Sequence, residues 1–304
     1  MLTRASVSQT ASALSAVRGV MAGACFLPLA WSSRAQLPKQ PRAFWLAAAE
    51  LALWNFLSQG LLNVALLYTD AMRVSFIAQT AIVLTPLLAA SRGQPVPPLT
   101  WLGCGVALAG VALLASDGGA SAAAAGAAVA GGVRLTVGDA LALGGAASSS
   151  LYIFRIGELS KRGLSTDLTQ AMKVILLAFL YCVWAAVDGA RIVSAGGAWI
   201  ALWPGWRSGL AWAVLLYSAV VPGAAADVLQ ARGQVKVAAA EAQVLLGAEP
   251  LWTALLGAAL LNERLGPAGA AGAGLIIVAV LLVAGSGQLE SLWRSYRISR
   301  LKKT

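Results

Sequence analysis

Ala78-Gln-Thr-Ala-Ile-Val-Leu-Thr-Pro86 and Ala242-Gln-Val-Leu-Leu-Gly-Ala-Glu-Pro250 open on the same dipeptide and close on a proline seven residues after the glutamine. Each proline is followed by a further apolar span rich in glycine. The first holds Gly103-Cys-Gly-Val-Ala-Leu-Ala-Gly-Val111 and the second Gly272-Ala-Gly-Leu-Ile-Ile-Val-Ala-Val280. Two successive spans recur in the same order, so the chain carries an internal repeat.

The surroundings say which solvent the repeat lives in. Of 304 residues, 59% are hydrophobic and 11% charged, with a mean hydropathy of +0.76. Soluble domains are typically about 25% charged. The excess apolar surface fits a bilayer. Nine apolar runs have the length that crosses ~30 Å of hydrocarbon: 11–31, 43–67, 71–91, 98–116, 136–156, 173–190, 209–229, 237–261 and 266–286. Glycine and proline inside them do not argue against helix in lipid. Trp199, Trp203 and Trp206 gather at a span end, as interfacial aromatics do. The expectation is an all-α polytopic membrane helix bundle.

Counting back from the prolines gives the repeat unit. The second copy has three spans before its proline span, namely 136–156, 173–190 and 209–229. The first has two, 11–31 and 43–67. A five-helix unit lacking its opening helix in the first copy follows, with ten helices expected and nine seen. An odd unit puts its copies in inverted topology, a plan of secondary transporters. The expected division is 5–116 for the first repeat, 117–135 for an Ala/Gly-rich flexible loop, 136–286 for the second repeat and 287–304 for a basic tail. That tail carries Arg294, Arg297, Arg300, Lys302 and Lys303. It reads equally as a helix on an anionic leaflet or as a solvated segment.

Charge placement sets orientation and limits partners. The chain has 22 Lys+Arg, 12 Asp+Glu and no histidine. Most basic residues lie between spans, and no zinc-finger spacing or basic heptad occurs, so nucleic acid is not an expected partner. With the gaps labelled alternately, fifteen basic residues, Lys173 among them, fall on the side of the C-terminus and six on the other. That excess places the C-terminus on the cytoplasmic side. Either the plasma membrane or an organellar one, a plastid included, is compatible. Cys25, Cys104 and Cys182 all lie in apolar runs and read as small buried hydrophobes, not as a metal set or disulfide framework. No metal, cofactor or catalytic nucleophile–base pair is expected, and with them no enzyme.

The run Ala239-Ala-Glu-Ala-Gln-Val-Leu-Leu-Gly-Ala-Glu-Pro250, then Ala254-Leu-Leu-Gly257, Asn262-Glu-Arg-Leu265, Gly272 and Leu275-Ile276, closely resembles the second repeat of EamA-type proteins of the drug/metabolite transporter superfamily. Gly138-Asp-Ala-Leu-Ala-Leu143 resembles the start of that repeat. Arg18 with Leu27-Pro28 resembles the second helix of the first repeat. The resemblance implies ten helices, cytoplasmic termini and alternating access. It does not imply a substrate. The absent opening helix departs from the pattern, and so does Thr85 where the second copy has Glu249.

Candidate site residues follow from the cost of polarity in lipid. Arg18 and Glu249 lie near the middle of their spans and at similar depth, so they read as an ion pair, an anion-binding fork with its counter-charge, or a brace. Glu50, Asn55, Gln59 and Asn63 recur every four or five residues and form one polar stripe, a cavity wall or an interhelical hydrogen-bonding face. Gln79, Thr80 and Gln243 precede the two prolines at repeat-related positions. Pro86 and Pro250 free the carbonyls of Ile82 and Leu246 and are candidate hinges. Asp139, Asp227 and Glu241 read as caps or interfacial groups, and Glu263 and Arg264 as loop organisers. The expected function is transport of a small organic solute, with the lipid bilayer as environment and a homodimer left open. The alternative is a non-transporting membrane protein, either an assembly or regulatory partner or a truncated inactive transporter.

Overall fold

The structure is a computed structural model describing residues 4–69, 71–116, 136–161, 165–198, 203–252, 255–256 and 266–301. Its helices are α1 (Arg4–Ser32), α2 (Arg42–Ala65), α3 (Ala71–Ala78), α4 (Ala81–Ser91), α5 (Pro98–Ser116), α6 (Val137–Ser160), α7 (Thr166–Ser194), α8 (Gly209–Ala219), α9 (Ala226–Gln234), α10 (Ala239–Leu246) and α11 (Pro267–Leu301). No strand occurs among the described residues. Among them, six helical stretches are long and apolar enough to cross a membrane, and Pro98–Leu113 is a shorter apolar helix. The chain is an all-α membrane helix bundle.

Local chemistry sets the helix ends. Pro41 precedes α2, and Pro98 and Pro267 open α5 and α11, where the missing N–H costs nothing. Thr136 and Asp139 cap α6 reciprocally. The Asp139 carboxylate accepts from Thr136 N at 2.8 Å, and Thr136 Oγ1 accepts from Asp139 N at 3.2 Å. Gly93 (φ 73°) and Gly196 (φ 80°) follow α4 and α7 in the left-handed region that only glycine enters cheaply.

The chain forms two compact units that interleave the repeats. One comprises Met1–Tyr68 with Arg155–Val237, the other Thr69–Phe154 with Ala238–Thr304. In the first unit α1 packs along α7, α2 also packs on α7, and α1 on α8. Gly19 faces Tyr181 and Ala178, and Gly23 faces Ala178 and Ile175. Rising numbers on α1 meet falling numbers on α7, so the pair is antiparallel. By the five-helix count from the sequence, these helices are the expected equivalents of one another. In the second unit α5 packs along α11 and α4 on α10. A Cβ on Gly103 would meet Val283, and one on Gly110 would meet the Gly272 carbonyl oxygen at 2.8 Å. This pair is antiparallel too, and again joins expected equivalents. Glycine permits the approach, since backbone meets backbone there.

Several spans differ from the sequence expectation. The run 71–91 is not one helix kinked at its proline: it breaks at Gln79-Thr80, between α3 and α4. The run 237–261 breaks at Gly247-Ala248, and the stretch 257–265, with Glu263 and Arg264, lies outside the described residues. The run 209–229 contains a π-helical turn, Val220–Ala225, around Pro222, because a proline inside a helix removes a regular i→i−4 bond. The last span does not end near 286; α11 continues to Leu301, taking most of the basic tail with it. The 117–135 loop lies outside the described residues. Cys104 is buried as expected, whereas Cys25 and Cys182 are exposed, and all three are free.

Candidate functional site

Arg18, Glu50, Asn55, Gln59 and Asn63 belong to the first unit; Gln79, Thr80, Pro86, Gln243, Glu249 and Pro250 belong to the second. Each set is built from its own helices.

In the first unit the polar stripe of α2 starts in an ion-pair network. Arg155 Nε and Nη2 reach the two Glu50 oxygens at 2.6 and 2.7 Å, a two-pronged pair. Arg155 Nη1 also reaches Glu158 at 3.1 Å, and Trp54 Nε1 donates to Glu50 at 3.4 Å. Glu50 is therefore held by α6 and is not simply a wall residue. Further along, Asn55 and Asn63 are half-buried and Gln59 is exposed.

Asp227, read from the sequence as a cap or an interfacial group, takes an ion pair: its carboxylate accepts a bond of 2.7 Å from the Lys173 ammonium. Lys173, expected as the first residue of a span, is 0% exposed and Asp227 21%. The pair sits close to the π-helical turn, which ends at Ala225 and breaks the regular packing between α8 and α9. Tyr181, buried on α7, lies within electrostatic reach of Arg18, Lys173 and Asp227. Asp188, also on α7 and buried, has Arg191 at 3.5 Å. The signal for these in the sequence is faint: Lys173 and Asp188 flank one apolar run, and Pro222-Gly223 interrupts another.

This unit also has a half-open pocket of about 20 Å³. Ser160, Thr166, Thr169 and Gln170 line it together with Leu51, Ile156 and Leu159. It has room for about one water, and the buried Gln170 Oε1 lacks a protein partner. A solute needs a larger space, so this pocket is not its site.

In the second unit a threonine of one proline helix meets the glutamine of the other. Thr85 Oγ1 donates to Gln243 Oε1 at 3.3 Å, with Thr85 0% and Gln243 7% exposed. Thr85 directly precedes Pro86, so the bond ties the proline helix of one repeat to the glutamine of the other. The carbonyl of Ile82, freed by Pro86, accepts from Cys104 Sγ at 3.3 Å. That carbonyl is satisfied within the bundle and does not line a site. Thr80 donates to Ile77 O at 2.6 Å across the helix break. Gln79 is half-buried and Glu249 is exposed just after its own break. Arg73 reaches Asp139 at 2.6 Å, so Asp139 both caps α6 and takes an ion pair. Ser150 of α6 donates to Ala81 O at 3.4 Å.

The model of the EamA-like transporter family fits residues 2–116 and 136–285. The chain belongs to this family. EamA-like proteins are membrane transporters, and the two matched stretches are the two repeats. A solved crystal structure of a protein is similar at a TM-score of 0.68 and 18% identity, covering 94% of this chain and 92% of that one; at that identity the likeness concerns the fold alone. No curated protein matches the chain. No group of three or more metal-ligating side chains occurs among the described residues.

Proposed function

We propose that this EamA-like chain moves a small organic solute across its membrane by alternating access. Arg18, Glu50, Asn55, Gln59, Asn63, Gln79, Thr80, Gln243 and Glu249 contribute to the solute path, and the breaks near Pro86 and Pro250 act as hinges. One observation carries this reading. Repeat-equivalent helices pack antiparallel in both units, with Gly19 and Gly23 of α1 on α7 and Gly103 and Gly110 of α5 on α11. Inverted repeats packed this way give two related arrangements of similar energy, which alternating access requires. The broken helices supply irregular backbone, tolerated at membrane depth where protein or water covers it.

Purified protein in sealed proteoliposomes tests the reading. A panel of radiolabelled amino acids, carboxylates, sugars and amines is offered, with protein-free vesicles as blank. Saturable uptake of at least one class is expected. Uptake no faster than the blank for every class, from protein that is monodisperse and inserted, overturns it in favour of a non-transporting role.

A further inference from the structure

We propose that the transported solute is an organic anion, and that Arg18 holds its charged group. The inference rests on the transport reading and adds the substrate class to it.

The charge balance of the first unit points there. Its described acids are engaged by other cations. Arg155 holds Glu50 and Glu158, Arg232 holds Asp167 at 2.7 Å, Lys173 holds Asp227, and Arg191 lies beside Asp188. None of these ion pairs uses Arg18. Yet Arg18 stands seven residues inside the span Ala11–Ser32, roughly 10 Å from its end at 1.5 Å per residue. It is exposed. A guanidinium at that depth is costly against lipid and stable against water or an anion.

Its neighbours suit an anion. Gly19 lets the ring of Tyr181 lie against α1, with Tyr181 Cδ2 3.0 Å from where a Cβ would be. That places the phenol within electrostatic reach of Arg18. The Lys173 charge is matched by Asp227 at 2.7 Å, which leaves Arg18 outside the ion pairs of this unit's described residues. A guanidinium presents a planar fork that fits carboxylate or phosphate oxygens two at a time. A cationic solute would meet repulsion here, and a neutral one would leave the charge unmatched.

The same chemistry could come from a lipid phosphate, so the test separates the two sources. The full chain is purified in dodecyl maltoside. Thermal unfolding is followed with succinate, citrate or inorganic phosphate, against chloride at equal ionic strength and against neutral succinamide, and separately with phosphatidylglycerol. The expected result is a Tm several degrees higher with at least one soluble anion and unchanged with succinamide. The shift should vanish in Arg18→Gln and shrink in Arg18→Lys, which keeps the charge and loses the fork. Three results overturn the proposal: no soluble anion acts, the shift survives in Arg18→Gln, or phosphatidylglycerol alone acts. If Arg18→Gln does not fold, Arg18→Lys decides, and an undiminished shift there overturns it. Flux in proteoliposomes separates the two readings. Equal uptake of succinamide and succinate keeps transport and removes anion selectivity. Absent flux alongside an Arg18-dependent anion shift removes transport and keeps the anion site.

Discussion

The Lys173 ammonium lies 2.7 Å from the Asp227 carboxylate, completely buried on the lysine side and one-fifth exposed on the aspartate side. Two charges taken out of water must satisfy each other, and removing one leaves the other uncompensated, at a cost of about 3–5 kcal/mol. Lys173→Met should therefore lower the thermal stability of the detergent-solubilised protein sharply. Lys173→Met with Asp227→Leu should regain most of it, because an apolar pair of similar volume needs no compensation. A double variant as unstable as the single would show that the pair does not act as a unit.

The crossing of α5 and α11 leaves no room at Gly110. A Cβ there would stand 2.8 Å from the Gly272 oxygen and 2.9 Å from Ile276 Cγ1. Gly110→Ala should cost about 1–3 kcal/mol, as overpacking does. Gly105, on the same helix, has nothing within 4 Å, so Gly105→Ala should be neutral or slightly stabilising. Unfolding curves of the two variants side by side check this; equal curves would contradict the close crossing.

Much of this architecture was legible in the sequence. The repeat of Gln79 and Pro86 in Gln243 and Pro250 revealed the two copies, and hydropathy revealed the solvent. The glycines at 103–110 and 272–274 marked the spans that turn out to pack together. The helix breaks were not legible, because a proline frees a carbonyl four residues back but tertiary contacts decide where the chain opens. It opens at Gln79-Thr80 in one copy and at Gly247-Ala248 in the other. The Lys173–Asp227 pair was hidden for a related reason. Hydropathy pushes charged residues to span ends, whereas α7 runs 29 residues and carries Lys173 inside. Of the candidate site, Glu50 and Gln243 found partners that only three dimensions reveal, Arg155 and Thr85.

Cys104 and Pro86 form a coupled pair through one carbonyl. Pro86 has no N–H for Ile82 O, and the Cys104 thiol donates to it at 3.3 Å. Cys104→Ala should cost about 1 kcal/mol, the typical net value of a hydrogen bond. Cys104→Ser should recover part of that. In a Pro86→Ala background the Cys104→Ala cost should fall, since an alanine in place of the proline supplies the missing N–H. A thermal double-mutant cycle measures the coupling, and additive effects would sever the link.

Orientation is open to a direct experiment. Fifteen basic residues against six favour a cytoplasmic C-terminus. A reporter fused after Thr304 should be active on the cytoplasmic side, and one inserted in 117–135 on the opposite side. Both on one side would refute the count of spans between them.

Glu249 is where chemistry and hinge coincide. It follows the break at Gly247-Ala248, precedes Pro250 and is exposed. Its repeat equivalent is Thr85, which is buried and bonded to Gln243. A carboxylate thus replaces a hydroxyl at the same place in the second copy. A charge at membrane depth costs about 3 kcal/mol on insertion scales, so its presence must be offset by water, solute or an opposite charge. Glu249→Gln keeps the shape and removes the charge. If Glu249 acts in transport, this variant should fold normally and lose or uncouple solute uptake in proteoliposomes. If Glu249 is only a structural brace, the variant should lose thermal stability, and uptake per folded molecule should stay unchanged. The two outcomes differ in which assay moves first, uptake or unfolding. A Glu249→Gln protein with unaltered uptake and unaltered pH dependence would exclude Glu249 from transport, and an unaltered Tm as well would exclude the brace.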